Sequence, residues 1–180
     1  SLHDALPILP KLQPMGEARF EPFPLTDIQQ AYWVGRQAAF DLGNIAAHGY
    51  MEVDCRGLDL ARLEAAFNRL IQRHDMLRAV VNPDGRQQIL KTVPEYRFAL
   101  LDASVAGDES DASLEQVRRD MSHQVLDTAV WPLFDIRASL LTDGVVRLHL
   151  SIDVLIFDAL SFDILSEEWR RLYQGDELPP

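Results

Sequence analysis

Four segments have apolar residues at the spacing of helices that bury one face. The clearest is the run 58–74, where leucine, phenylalanine and isoleucine recur every three or four positions behind Asp59, a predicted N-cap. A shorter helix is predicted after Thr26, because Gln29 three positions later completes a capping-box pattern. Two further helices are predicted over 113–126 and 159–174.

Alternating apolar and polar residues predict strands between these helices. The segments 48–55 and 96–102 read as single strands, and two hairpins are predicted around Asn82-Pro83-Asp84-Gly85 and Asp143-Gly144. The second hairpin joins strands over 134–141 and 145–154. Because helices and strands do not alternate regularly, the order favours an α/β protein, a two-layer sandwich with a mixed sheet covered by helices.

Composition narrows the classes of function. The chain has 180 residues, of which 47 % are hydrophobic, so it can build a core, and its formal net charge is −11. That charge argues against nucleic acid or an anionic membrane as a partner. No apolar run approaches the ~20 residues of a membrane span. The single cysteine, Cys55, excludes a disulfide within the chain and favours a packed thiol in a cytoplasmic protein.

The domain organisation is predicted from where the regular patterns begin. Residues 1–20 are rich in proline and have no steady period, so they are predicted to be a linker. The opening SLHDALPI resembles translated sequencing-adaptor read-through, so residues 1–8 are candidates for non-native sequence and carry no functional weight. Residues 21–180 are predicted to form the ordered domain.

Candidate chemistry is concentrated in SIDVLIFDALSFD, at a predicted strand-to-helix junction. Asp153 ends the polar face of the strand, Asp158 opens the helix, and Ser161 follows three positions later. An unpaired carboxylate is costly to bury, so two of them in an apolar stretch need an explanation. The structural alternatives are that Asp158 is an N-cap and Asp153 a solvated strand end.

A second polar cluster lies in QRHDMLRAVV. Arg73 and His74 suit the C-terminus of the preceding helix, where basic groups are favourable. Arg78 lies in an apolar segment and requires a carboxylate if it is buried, and Asp158 is the predicted partner. No zinc-type Cys/His spacing, glycine-rich phosphate loop or G-x-S-x-G elbow is present in the sequence.

Three segments in this order resemble one family. FPLTDIQQAYWVGR (23–36), RHDMLR (73–78) and DVLIFDALS (153–161) are similar to signature motifs of heterocyclization domains of nonribosomal peptide synthetases, a branch of the condensation-domain superfamily. The resemblance implies a fold like chloramphenicol acetyltransferase. The resemblance further implies two lobes in the complete domain, so residues 21–180 are expected to be the N-terminal lobe, with the C-terminal lobe absent.

The resemblance also implies a reaction and partners. A carrier-bound cysteine, serine or threonine would attack an upstream acyl thioester, and cyclodehydration would then form a thiazoline or oxazoline. Both substrates would ride on phosphopantetheine arms of upstream and downstream carrier domains, next to other synthetase domains in the same chain, and no cofactor would bind this chain directly. The implied catalytic residues are Asp153, Asp158 and Ser161, with Arg78, Arg73 and His74 supporting the site.

The motif departs from that of ordinary condensation domains, which carry H-H-x-x-x-D-G at this junction. Asp153 and Val154 occupy the two histidine positions, which favours the cyclizing branch. In that comparison Asp158 is expected to organise the site through Arg78, and Asp153 is the better candidate to touch substrate. A plain amide-forming domain and a non-catalytic lobe that docks carrier domains stay open, and this fragment alone is expected to be inactive. Siderophore, antibiotic and toxin products are all compatible with the sequence.

Overall fold

The computed structural model describes residues 15–36 and 46–179. The N-terminal part of the predicted linker, including residues 1–8, lies outside the described residues. Four α-helices are present in the described part, and they begin and end as follows: α1 Asp27–Gly35, α2 Leu60–Arg73, α3 Asp108–Ser122 and α4 Ala159–Gln174. None of these helices is both long enough and apolar enough to cross a membrane.

The strands form two sheets in the described part of the chain. Their bounds are β1 Phe23–Pro24, β2 His48–Arg56, β3 Ala79–Val81, β4 Arg86–Ile89, β5 Ala99–Asp102, β6 Phe134–Leu140 and β7 Val145–Asp153. A three-stranded antiparallel sheet has the order β1-β4-β3, and a four-stranded sheet has the order β2-β7-β6-β5. The larger sheet is mixed, because β5 runs parallel to β6 while β2 and β6 are antiparallel to β7. The predicted mixed α/β architecture is therefore confirmed.

The two faces of the four-stranded sheet differ in polarity. The apolar face packs against α2 and α4 and forms the core around Phe67, whose ring contacts four other aromatic rings at centroid distances of 4.9 to 6.1 Å. The opposite face carries ionisable side chains, and α3 reaches it through Arg118, which binds Glu52 of β2. Because residues alternate along β7, its polar side chains all lie on the second face.

Local signals in the sequence predicted most element boundaries. Thr26 and Gln29 form the capping box of α1, and Asp59 accepts a hydrogen bond from the Arg62 amide at the start of α2. Asp143 and Gly144 both have positive φ angles, 59° and 67°, as the tight turn between β6 and β7 requires.

The predicted bounds of the third helix, 113–126, are wrong. The helix α3 begins five residues earlier, at Asp108, and ends at Ser122. Its first turn carries Asp108, Glu109 and Asp111, and negative side chains are favourable at a helix N-terminus. This signal comes from charge and was missed when apolar spacing alone was used.

Candidate functional site

The candidate site lies where β7 gives way to α4. Strand β7 ends at Asp153, a turn follows over 154–157, and Asp158 is the N-cap of α4. This turn and the first residues of α4 face α1 across an open cleft of about 570 Å³. Asp158 and Ser161 line the cleft together with Gln29 and Tyr32 of α1.

Asp153 does not line this cleft. Its side chain is only 1 % exposed and forms an ion pair with Arg36, with 2.6 Å between Oδ2 and Nη2. The other oxygen, Oδ1, accepts a hydrogen bond from the Leu155 amide at 3.0 Å and thereby shapes the turn. Asp153 therefore joins the residue that follows α1 to the end of β7. The expectation that Asp153 is the carboxylate better placed to touch substrate, or alternatively a solvated strand end, is not met by this geometry.

Asp158 is exposed and caps α4. Its Oδ1 accepts hydrogen bonds from the Ser161 amide at 2.8 Å and from the Ser161 hydroxyl at 2.7 Å. These two bonds lower the pKa of Asp158 below its ordinary value, because they stabilise the ionised form. At the mouth of the cleft the pair therefore presents a negative charge and a hydroxyl whose lone pairs remain free to accept hydrogen bonds.

The predicted Arg78–Asp158 ion pair is wrong. Arg78 is buried, as expected, but its Nη2 binds Asp75 at 2.5 Å. Its Nη1 donates to the carbonyl oxygens of Ile71 and Gln72, and its Nε donates to that of Leu90. The guanidinium therefore satisfies the last carbonyls of α2, where a positive charge is favourable, and its carboxylate partner is local.

Arg73 and His74, at the end of α2, both bind a carboxylate of another helix. Glu168 of α4 accepts a hydrogen bond from Arg73 Nε at 2.8 Å and lies 2.7 Å from His74 Nε2. Burial would raise the pKa of Glu168, but the bonds from His74 and Arg73 outweigh it and hold that pKa below its ordinary value. These contacts fasten the middle of α4 to the end of α2.

Sequence reasoning missed three residues that hold the site together. Arg36 pairs with Asp153, Glu168 binds Arg73 and His74, and Nε2 of the Gln29 side chain donates to the Leu155 carbonyl at 2.7 Å. Arg36 and Gln29 both lie in the FPLTDIQQAYWVGR segment, so the motif contained the signal. Glu168 lies in an amphipathic helix among other charged residues, and nothing in its local sequence distinguishes it.

A second polar network lies on the ionisable face of the four-stranded sheet, opposite the face that packs against α2 and α4. His149 is 1 % exposed and lies 2.9 Å from the Ser139 hydroxyl and 3.1 Å from the Tyr50 hydroxyl. Tyr50 donates its proton to Glu52, so its oxygen accepts from His149 Nδ1, and His149 Nε2 accepts from Ser139. Burial lowers the pKa of His149, although Glu52 opposes this shift. Because both ring nitrogens of this buried histidine are used within the network, His149 has a structural role here.

The described residues contain no group of three or more histidine, cysteine, aspartate or glutamate side chains that could hold a metal ion. Cys55 is half-buried, and burial raises the pKa of its thiol, so it has the character of a packed thiol.

Comparisons with known proteins bear on the family of this chain. Residues 21–180 match the condensation-domain family. Phenyloxazoline synthase MbtB of Mycolicibacterium paratuberculosis is 41 % identical over 169 residues, which are 92 % of this chain and 14 % of that protein. Pyochelin synthetase PchF of Pseudomonas aeruginosa is 42 % identical over 154 residues, 84 % of this chain and 8 % of that protein.

Among solved structures, the EpoB cyclization-docking bidomain of Sorangium cellulosum superposes with a TM-score of 0.88 at 38 % identity, over 93 % of this chain and 34 % of that one. The chain thus spans a small part of its curated relatives and about a third of this structure. The match over residues 21–180, together with the identities of about 40 %, shows that this chain belongs to the condensation-domain family.

Proposed function

We propose that this chain is the N-terminal lobe of a heterocyclization domain, which joins a carrier-bound acyl group to a carrier-bound cysteine, serine or threonine and cyclizes the product. The observation that carries the proposal is the D-x-x-x-x-D-x-x-S junction between β7 and α4, in a chain about 40 % identical to proteins named for phenyloxazoline and cyclization. Neither histidine of the amide-forming motif is present at this junction.

The reaction has three steps. The amine nitrogen attacks the thioester carbonyl carbon and the carrier thiol leaves, so an amide forms. The side-chain sulfur or oxygen then attacks the carbon of that amide and closes the ring. Loss of the carbonyl oxygen as water leaves a C=N bond. The protein must hold two tethered reactants together and must move protons on and off poor leaving groups.

The described side chains suggest different roles for the two carboxylates. Asp158 and Ser161 face the cleft, and the lowered pKa of Asp158 makes it a weak base. We assign Asp158 to attracting the ammonium group of the substrate, which must lose a proton before its nitrogen attacks, and Ser161 to accepting a hydrogen bond from substrate. Asp153, which is held by Arg36, is assigned to positioning the turn that carries them. Arg78 satisfies the last carbonyls of α2, and Arg73 and His74 bind Glu168 in the middle of α4, behind the cleft.

We also propose that a second lobe and two carrier domains complete the site. Exposed apolar residues flank the cleft on both helices: Ile28 and Tyr32 on α1, and Leu160 and Ile164 on α4. Four such side chains beside one polar cleft favour a surface that is covered in the complete protein. The phosphopantetheine arms of the carrier domains would bring the substrates, so no resident cofactor is required.

The experiment is product analysis by mass spectrometry with a complete synthetase that contains this chain. A product that has lost one water relative to the linear amide is expected. A linear amide alone would favour a plain condensation domain. If no product forms although the downstream domain is active, the chain would instead be a docking lobe. Ser161→Ala, which removes the hydroxyl and keeps the backbone cap, is expected to slow ring closure more than the exposed control Ser104→Ala.

A further inference from the structure

A glycine lies inside strand β2, where glycine is unfavourable. Gly49 is the second residue of this strand and pairs with Ile152 of β7. Glycine weakens a strand, because it has no side chain to pack and loses more backbone freedom on folding than other residues. The backbone at Gly49 does not require glycine, since its φ angle is not positive. The space around Gly49 is therefore the feature that needs explaining.

That space is occupied by the ring of Phe157. A Cβ atom built at Gly49 would lie 3.2 Å from Cζ and 3.9 Å from Cε1 of Phe157. Carbon atoms in ordinary contact are ~3.5–4.0 Å apart, so even alanine would require the ring to shift by a few tenths of an ångström. A branched side chain reaches further and would displace the ring by more.

Phe157 connects Gly49 to the candidate site. It is the last residue of the turn over 154–157, and it directly precedes Asp158, the N-cap of α4. It also lines the cleft. A shift of the Phe157 ring would therefore change the wall of the cleft beside Asp158 and would pull on the backbone that carries the cap.

The rest of the turn is held on both sides and cannot absorb such a shift. Leu155 and Ile156 are 2 % and 6 % exposed and belong to the close-packed core. The Val154 amide donates to the Ala47 carbonyl at 3.1 Å, which ties the start of the turn to the chain just before β2. Phe157 is half-buried and borders the open cleft, so it is the part of the turn that has room to move.

We propose that Gly49 is a positioning residue of the candidate site, because its lack of a side chain lets the Phe157 ring lie against β2 and so sets the width of the cleft beside Asp158. Gly49 acts through Phe157 and not by touching substrate. The inference rests on the proposed function for the reaction whose rate is measured, while the state of the Asp158 cap can be followed without turnover.

The first test is a double-mutant cycle in a complete synthetase that contains this chain. Gly49→Val is expected to slow product formation about tenfold or more, since a misplacement of ~1 Å can cost about a hundredfold in rate. Phe157→Leu removes both Cζ and Cε1, the two atoms nearest the added side chain. In the Phe157→Leu background, Gly49→Val is therefore expected to change the rate by less than about twofold.

Two further variants complete this test. Ala99→Val places the same branched residue on strand β5, at an exposed position outside the cleft lining, and should leave the rate unchanged. Gly49→Ala makes the smaller intrusion and is expected to slow product formation about threefold, again reversed by Phe157→Leu. It replaces Gly49→Val in the cycle if the valine variant does not fold.

The second test is hydrogen exchange measured by mass spectrometry on the same proteins. The Ser161 amide donates to Asp158 Oδ1 at 2.8 Å, so exchange in the peptide 158–163 reports on the cap. Gly49→Val is expected to speed this exchange about tenfold, and Phe157→Leu is expected to restore it.

Two results would overturn the inference. One is an unchanged rate and unchanged exchange in Gly49→Val. The other is an equal loss of rate in both backgrounds with a lowered Tm, which would show that Gly49 matters to the fold alone.

The two proposals fail in different ways. A linear amide as the product would contradict the proposed function, and the same cycle measured on that amide would still decide the role of Gly49. Ring formation at the normal rate by Gly49→Val would do the reverse.

Discussion

Replacing Asp153 by asparagine should destabilise the fold strongly, because it leaves a buried guanidinium without its counter-charge. The two side chains are 6 % and 1 % exposed, and their nearest polar atoms are 2.6 Å apart. Two unit charges about 4 Å apart attract by ~4 kcal/mol at an effective dielectric constant of ~20. Arg36 Nε and Nη1 have no hydrogen-bond partner in the part of the chain described here, so the carboxylate is its main compensation.

The expected loss in free energy of unfolding is ~3–5 kcal/mol, the usual cost of removing one partner of a buried pair. It is measured by urea denaturation of the domain that contains this chain, or as a fall in Tm of roughly 6–20 °C. The amide oxygen of the introduced asparagine could still accept the bond from the Leu155 amide, so the loss reports the charge pair. Arg36→Met combined with Asp153→Leu should recover much of the stability, because no unpaired charge remains.

The matched control is Asp158→Asn, which changes the other carboxylate of the same motif. Asparagine is as good an N-cap as aspartate, so stability should stay close to that of the wild type. A loss below about 1 kcal/mol for Asp153→Asn, or equal losses for the two variants, would refute the assignment of Asp153 to a buried ion pair.

Three further outcomes are expected. Burial lowers the pKa of His149 in the folded protein, so below about pH 6.5 the unfolded chain binds a proton first and the free energy of unfolding falls as pH decreases. His149→Gln should remove this contribution and so flatten the plot of free energy of unfolding against pH in that range. Phe67→Ala should cost ~3–5 kcal/mol, because the ring contacts four other aromatic rings. Glu168→Gln should make α4 more accessible to hydrogen exchange, because it weakens both contacts to the end of α2.

Each of these expectations has a control and a contradicting result. For His149, the difference between wild-type and variant curves isolates one residue among five histidines, and parallel curves would contradict the assignment. For Phe67, the control is Val105→Ala, at a side chain that is 78 % exposed, which should change the free energy of unfolding by no more than ~0.5 kcal/mol. An equally small loss for Phe67→Ala would contradict the assignment of Phe67 to the core. Unchanged exchange in α4 would show that Glu168 is not a fastening residue.

Local chemistry explains why the sequence was informative about the helices and hairpins. Caps act within three or four residues, so Thr26 with Gln29, and Asp59 with the next turn, identify helix starts without any tertiary information. The same holds for Asp158, whose N-cap role was one of the two alternatives drawn from the sequence and is the one that the structure supports. The start of α3 was missed because its signal was charge in the first turn, with little apolar periodicity.

By itself the sequence determined the element order, the mixed α/β class, the position of the motif at a strand-to-helix junction and the resemblance to the condensation-domain family. Only the tertiary structure decided which charges meet. The guanidinium of Arg78 is satisfied by Asp75 and by carbonyls at the end of α2, whereas Arg36, 117 residues away in the chain, neutralises Asp153. A buried charge must have a partner, and the sequence shows that need. It does not show which of the available carboxylates the fold brings within hydrogen-bond distance.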